Sequence, residues 1–169
     1  VLFSGTIDSN IKFGKEDATK EEAEKAATIA QAMDFINGKE KGFDADISQG
    51  GSNVSGGQKQ RLSIARAIVR KPEIYIFDDS FSALDFKTDV VLRRALSKEI
   101  DDSIIFIVAQ RISTIMHAEQ IIVLDEGKVV GIGTHSELLK DCEVYQQIAS
   151  SQLSEKELLA STKEVAKHE

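Results

Sequence analysis

The sequence predicts an α/β fold, with parallel strands at its core, an α-helical subdomain ahead of them and a β-hairpin with helices at the C-terminal end. Ile74-Tyr75-Ile76-Phe77 and Ile104-Ile105-Phe106-Ile107-Val108 are continuous, β-favouring apolar runs, the pattern of parallel strands buried on both faces. Between them, Asp85 to Glu99 places Val91, Leu92, Ala95 and Leu96 on an inward helical face, completing a strand–helix–strand unit. Ile121 to Leu124 and Lys128 to Ile132 flank Asp125-Glu126-Gly127, a hairpin signal.

In chain order, Val1 to Phe3 read as the end of a strand. Lys15-Glu16-Asp17-Ala18 is mostly charged and patternless. Thr19-Lys20-Glu21-Glu22 is a capping box that opens a helix with Ala23, Ala26, Ala27, Ala30 and Met33 on its apolar side. Glycines and polar residues from Gly38 to Asn53 imply an irregular loop. A second helix starts near Ser55-Gly56-Gly57, carries Leu62, Ala65, Ile68 and Val69 at helical spacing, and is closed by Pro72. Thr134-His135-Ser136-Glu137 is a further capping box, for a helix reaching about Ser150. Ser151 to Glu169 is a polar tail or helix, with a thin stripe of Leu158, Leu159 and Val165.

Composition narrows the class. A chain of 169 residues can bury one core, and 41% apolar with 29% charged residues is ordinary for soluble protein. The longest apolar run, Ile104 to Ala109, is far short of the roughly 20 residues of a membrane span. No basic lead-in or long apolar stretch marks a secretory signal at Val1-Leu2-Phe3-Ser4-Gly5, and an apolar start without Met is expected of a chain that begins mid-domain. The single Cys142 excludes an internal disulfide, suits a reducing cytosol and reads as a half-buried helix residue. A net charge of −7 argues against a nucleic-acid surface. His117, His135 and His168 fit no metal spacing and read as surface or capping residues. Arg61, Arg66 and Arg70 read as a solvated or salt-bridged face, and Tyr75 as core.

Asn53-Val54-Ser55-Gly56-Gly57-Gln58-Lys59-Gln60-Arg61 sits at a loop-to-helix junction suited to phosphate. Two glycines let backbone approach an anion, first-turn N–H groups point at it, and the helix dipole and the Ser55 hydroxyl add to the attraction. Taken alone, Ser-Gly-Gly-Gln also admits a second, lesser reading, a glycine-bearing helix cap without a ligand.

The nonapeptide closely resembles the signature motif of ABC ATPases, and Leu62-Ser63-Ile64-Ala65-Arg66-Ala67 continues that pattern. Ile74-Tyr75-Ile76-Phe77-Asp78-Asp79 resembles Walker B, Ser82-Ala83-Leu84-Asp85 the D-loop, and Ile107-Val108-Ala109-Gln110-Arg111-Ile112-Ser113-Thr114-Ile115 the switch loop. Ile122 to Lys128 and Gly133 to Leu139 resemble the closing strands and helix, and Val1 to Ile7 with Asn10-Ile11 the segment after the Q-loop in exporter-type members. The resemblance spans residues 1 to about 150 with every element in order. It implies a partial P-loop NTPase core, residues 1–150, divided into a helical signature subdomain (about 6–71) and a Walker B, D-loop and switch-loop core (about 72–150), with residues 151–169 as a C-terminal polar tail or helix.

The family's function follows by the same resemblance. ATP with Mg²⁺ is sandwiched between two such domains, and closure of the pair drives membrane domains to export a substrate. Ser55, Gly56, Gly57 and Gln58, with Ser82 and Asp85, would touch a nucleotide held mainly by a second ABC ATP-binding domain. A transmembrane domain is expected upstream in the full-length chain, placing this domain at the cytoplasmic face of a bacterial cell membrane. Ser48-Gln49-Gly50-Gly51 occupies the place of the X-loop but departs from its usual Gly-Glu-Arg-Gly form.

Some parts are missing or altered. No Gly-x-x-x-x-Gly-Lys-Ser/Thr occurs in the chain, so residues 1–169 alone are expected to bind ATP poorly and to be inactive. Asp78 ends a strand where a carboxylate would hold Mg²⁺ through water. Asp79 stands where active members carry the Glu that orients the attacking water. Being one methylene shorter, it stops roughly 1 Å short, and such misplacement costs on the order of a hundredfold. Gln110 replaces the switch histidine and cannot carry a proton near neutral pH. Asp79 and Gln110 together, beside an Asp78 that keeps the expected Mg²⁺ role, look like a degenerate catalytic half-site, as in exporters built from two non-identical half-transporters. Two alternatives stay open. One is a chromosome-maintenance or repair ATPase, which would favour coiled-coil insertions or zinc cysteines. The other is a regulatory module that binds ATP without turnover. The cargo is not encoded here, and without neighbouring strands beside Ile74 to Phe77, exposed apolar surface is expected.

Overall fold

A computed structural model describes residues 1–100, 102–154 and 158. The chain forms two compact units, Val1–Val108 and Ala109–Glu169.

In the first unit, β1 (Gly5–Thr6) pairs antiparallel with β2 (Asp46–Ile47). The helices α1 (Ile7–Lys12), α2 (Lys20–Ile29) and α3 (Met33–Asn37) precede the long α4 (Gly56–Val69). Thr19 and Glu22 form the expected capping box on α2. Val1 to Phe3 are not a strand. Pairing begins at Gly5, while Leu2 is buried and its carbonyl accepts from the Gly50 N–H. Met33 leaves the apolar side of α2 because Gln31 takes a left-handed φ of 57° and a new helix starts. Gly38 to Asn53 is irregular as expected, apart from β2 and two single 3-10 turns.

Helix α4 packs on α1 and α2 through Leu62, Ile64, Ala65, Ile68 and Val69. Glycines at its first turn weaken it by about 1 kcal/mol each relative to alanine. Burial of Leu62, Ile64, Ile68 and Val69 is worth about 1.5–3 kcal/mol per side chain and outweighs that cost. The α1–α4 approach needs Gly14, where a Cβ would stand 2.1 Å from the Arg66 carbonyl oxygen. Arg66 is not part of a solvated face. Its guanidinium donates to the Asn10 carbonyl and side chain and to the Val1 carbonyl, and lies over the Phe3 and Phe13 rings. Arg61 keeps the salt-bridged role, with Asp34 at 2.9 Å, while Arg70 is exposed.

The strand–helix–strand unit forms as expected: β3 (Ile74–Asp78), α5 (Phe86–Glu99) and β4 (Ile104–Val108), with β3 and β4 parallel and in register from Ile74↔Ile104 to Asp78↔Val108. Burial on both faces does not. Tyr75 and Phe77 are buried, whereas Ile74, Ile76, Ile104, Phe106 and Val108 are each at least half exposed. Within this unit helices cover one face only, so the apolar side chains of the other are open, as the missing neighbouring strands led one to expect. On α5, Leu92 and Leu96 face inward, but Val91 is exposed.

The second unit holds α6 (Ile112–Ile115), the antiparallel hairpin β5 (Ile121–Asp125) and β6 (Lys128–Gly133), then α7 (His135–Asp141) and α8 (Glu143–Gln152). Glu126 and Gly127 both take positive φ, as a two-residue hairpin turn requires. The single helix expected from His135 to Ser150 is two, broken where Cys142 turns extended at φ −120°. Cys142 is buried rather than half-buried. His135 is buried too, its Nδ1 2.8 Å from the Tyr145 hydroxyl, so it is no surface residue. The tail reading falls mainly on residues 155–157 and 159–169, outside the described residues.

Candidate functional site

Ser55 takes extended geometry (φ −68°, ψ 162°) and caps α4. Its Oγ accepts from the Gln58 N–H at 3.2 Å, and its own N–H donates to Gln58 Oε1 at 3.1 Å. The cap reading of Ser-Gly-Gly-Gln is therefore realised, and Gln58 folds back on the cap instead of reaching outward. A cap and a phosphate site draw on the same amides. Ser55 occupies the N–H of Gln58, while helix geometry leaves those of Gly56 and Gly57 without intrahelical acceptors. Ser55 and Gly56 are exposed, so an anion can reach this turn from solvent.

The turn is backed by the segment after β3. A Cβ on Gly57 would stand 3.0 Å from the Ala83 carbonyl oxygen, and one on Gly56 3.5 Å from the Ala83 Cβ. Gln60, one turn into α4, reaches the same segment. Its Nε2 donates to the Asp79 carbonyl (3.2 Å) and to Ser82 Oγ (3.1 Å), and its Oε1 accepts from the Ala83 N–H (2.9 Å). Sequence reasoning missed Gln60, because a polar residue inside an amphipathic helix looks like a solvated one and its partners lie 19 to 23 positions away.

Asp78 closes β3 and Asp79 follows it, both exposed. Asp79 holds a left-handed φ of 48°, a conformation costing a non-glycine residue roughly 1–2 kcal/mol. Its N–H donates to the Val108 carbonyl, and its carbonyl accepts from Gln60 and the Ser82 hydroxyl, which fixes the turn. Asp85 serves as the N-cap of α5. Its carboxylate accepts from the Thr88 hydroxyl (2.6 Å) and N–H (3.0 Å), which hold it below the usual carboxylate range. Ser55, Gly56, Gly57, Gln58 and Ser82 thus share one neighbourhood, with Asp79 tied in through its backbone.

Gln110 lies in the second unit, exposed. Its carbonyl accepts from Gln152 Nε2 at 2.8 Å, while Gln152 Oε1 accepts from the Ile112 N–H at 2.9 Å. One glutamine at the end of α8 therefore clamps both sides of the segment that carries Gln110.

Among the described residues no cluster of three or more His, Cys, Asp or Glu could enclose a metal. Mg²⁺ needs no such cage, since it keeps several waters and binds through one or two carboxylates plus substrate phosphates. The exposed carboxylate of Asp78 at a strand end fits that requirement. Among the described residues no helix is long and apolar enough to cross a membrane.

Comparison with known proteins places these features in a family context. The ABC transporter family model matches residues 3–82, from the segment before α1 to the residue bonded by Gln60. An ABC transporter ATP-binding protein of Bacillus subtilis is 47% identical over 152 residues, covering 90% of this chain and 26% of that protein. A putative multidrug export ATP-binding/permease protein of Staphylococcus aureus is 43% identical over 152 residues, with the same shares. The solved structure of a bacterial Atm1-family ABC exporter with ATP bound superposes with a TM-score of 0.88 at 35% identity, over 92% of this chain and 27% of that one. The chain thus spans about a quarter of the length of the relatives it matches.

Proposed function

We propose, from the premise that this chain belongs to the ATP-binding domains of exporter-type ABC transporters, that it couples ATP binding and hydrolysis to substrate export as the degenerate half of a two-subunit machine. The observation that carries the ATP assignment is the solvent-open start of α4, where Gly56 and Gly57 present first-turn amides above a rigid backing. In use, this turn would cap the terminal phosphate of an ATP lodged mainly in a second, non-identical ABC ATP-binding domain. Asp78 would hold Mg²⁺ through water, and that cation supplies neutralisation of phosphate charge.

By the family resemblance, the work of orienting water for this chain's own nucleotide falls to Asp79, and a γ-phosphate contact is assigned separately to Gln110. The Asp79 carboxylate is a methylene shorter than glutamate, on a backbone held by hydrogen bonds at both its N–H and its carbonyl, so it has little freedom to advance. Gln110 can donate a hydrogen bond but no proton. Slow turnover at this site follows, with the intact signature serving a competent site whose glutamate comes from the partner. A transmembrane domain in the same full-length chain and a place at the cytoplasmic face of the membrane belong to the same proposal.

Two variants of the full-length complex test it. Replacing the partner's catalytic glutamate with glutamine should remove most of the ATP turnover and leave only a slow residue, whereas Asp79→Asn should leave most of it. Equal loss from both would show that the sites are equivalent and that the asymmetric assignment fails.

A further inference from the structure

Gln60 belongs to none of the roles assigned above, yet its side chain spends its whole hydrogen-bonding fork on one segment. The amide donates twice and accepts once, and all three partners lie between Asp79 and Ala83. Gly57 lies close to the same segment, since a Cβ there would stand 3.0 Å from the Ala83 carbonyl oxygen. We propose that Gln60 is a positioning residue that locks the Asp79–Ala83 turn to the start of α4, so that the ATP site containing Asp79 and the one completed by Ser55–Gln58 move as one body. This rests on the functional assignment above. In that assignment Asp79 serves the nucleotide held by this chain and Ser55–Gln58 the nucleotide of the neighbouring domain, and a rigid link between them would carry the state of one to the other.

The geometry favours a lock over a passive contact. Asp79 sits in a left-handed conformation, and its carbonyl takes two of the bonds that hold it there, one from Gln60 and one from Ser82. Ser82 is itself bonded by Gln60, so releasing Gln60 loosens the turn at two points. The Ala83 N–H has its acceptor in Gln60, and protection of that amide against solvent reports directly on the link.

The experiment uses the full-length protein in its assembled complex, with Gln60→Ala and Gln60→Glu compared with wild type. Gln60→Ala should speed amide exchange at Ala83 about tenfold, the loss of one or more hydrogen bonds, and lower kcat by a similar factor. KM for ATP should stay within about threefold, because the nucleotide is held mainly by the neighbouring domain. Gln60→Glu keeps an acceptor for Ala83 but loses both amide donors. It should retain Ala83 protection while kcat falls, and it serves as the readout if the alanine variant fails to fold. A merely structural role would lower thermal stability and expression without this split between kcat and KM. An active wild type with unchanged kcat and unchanged Ala83 exchange in Gln60→Ala would overturn the lock and leave the ATPase assignment standing. A wild-type complex that neither binds nor turns over ATP would overturn the assignment itself.

Discussion

On the proposed function, Asp79 is one methylene shorter than the glutamate expected at its position, and hydrogen bonds at its N–H and its carbonyl leave its backbone little freedom to advance. On the asymmetric proposal, the slow turnover left when the partner glutamate is replaced by glutamine would come from this chain's own site. Asp79→Glu should raise that residual rate, on the order of tenfold or more, if carboxylate reach is the main deficit. Steady-state ATPase assays of the two complexes side by side make the comparison. His135 gives a second prediction. Burial, reinforced by the charge of His117, holds its pKa below the ordinary histidine value. An unfolded chain therefore binds the proton first as pH falls below about 6.5, while the folded chain resists it. Stability is fully present above that pH and is lost progressively as pH drops toward the folded value. Denaturant melts between pH 7.5 and 5 should show this fall in wild type, and a shallower fall in His135→Gln.

At the scale of elements, close approach decides more than propensity. Gly14→Ala would drive a Cβ into the Arg66 carbonyl, and α1 would have to lift from α4. Overpacking of this kind costs about 1–3 kcal/mol, readable as a lowered denaturant midpoint. On α8, Gln152→Ala removes the clamp on Gln110 and Ile112, and amide exchange at Ile112 should speed up while the hairpin amides stay protected. The sequence made the capped helices and the hairpin legible because their signals are local. Thr19 with Glu22, Thr134 with Glu137 and Glu126-Gly127 each act within a few positions. It hid α1, whose capping box pairs Thr6 with a serine at the third position, and it joined α7 to α8 because nothing in the side chains around Cys142 announces the break. Of the site, the glycine turn and the carboxylates could be read from residue types. Gln60 and Gln152 could not, since their work depends on partners about 20 and 40 positions away.

At the scale of the whole molecule, the open apolar face of β3 and β4 marks what residues 1–169 lack by themselves. Ile76 is 70% exposed, a poor arrangement for an apolar parallel strand unless other strands or helices cover it. The expectation of strands buried on both faces failed here for that reason, since burial depends on neighbours and not on the run of residues alone. Residues 1–169 prepared by themselves should therefore self-associate, seen as concentration-dependent sedimentation. With no phosphate-binding loop in the segment, they should show no micromolar ATP binding by calorimetry. The most direct test is a structure of the full-length complex loaded with ATP, read at the start of α4. The result expected is a γ-phosphate within hydrogen-bonding distance of Ser55 Oγ and the Gly57 N–H, on a nucleotide whose other contacts come mainly from the second ATP-binding domain. A Ser55–Gln58 turn far from any phosphate, or packed away against its own chain, would contradict it.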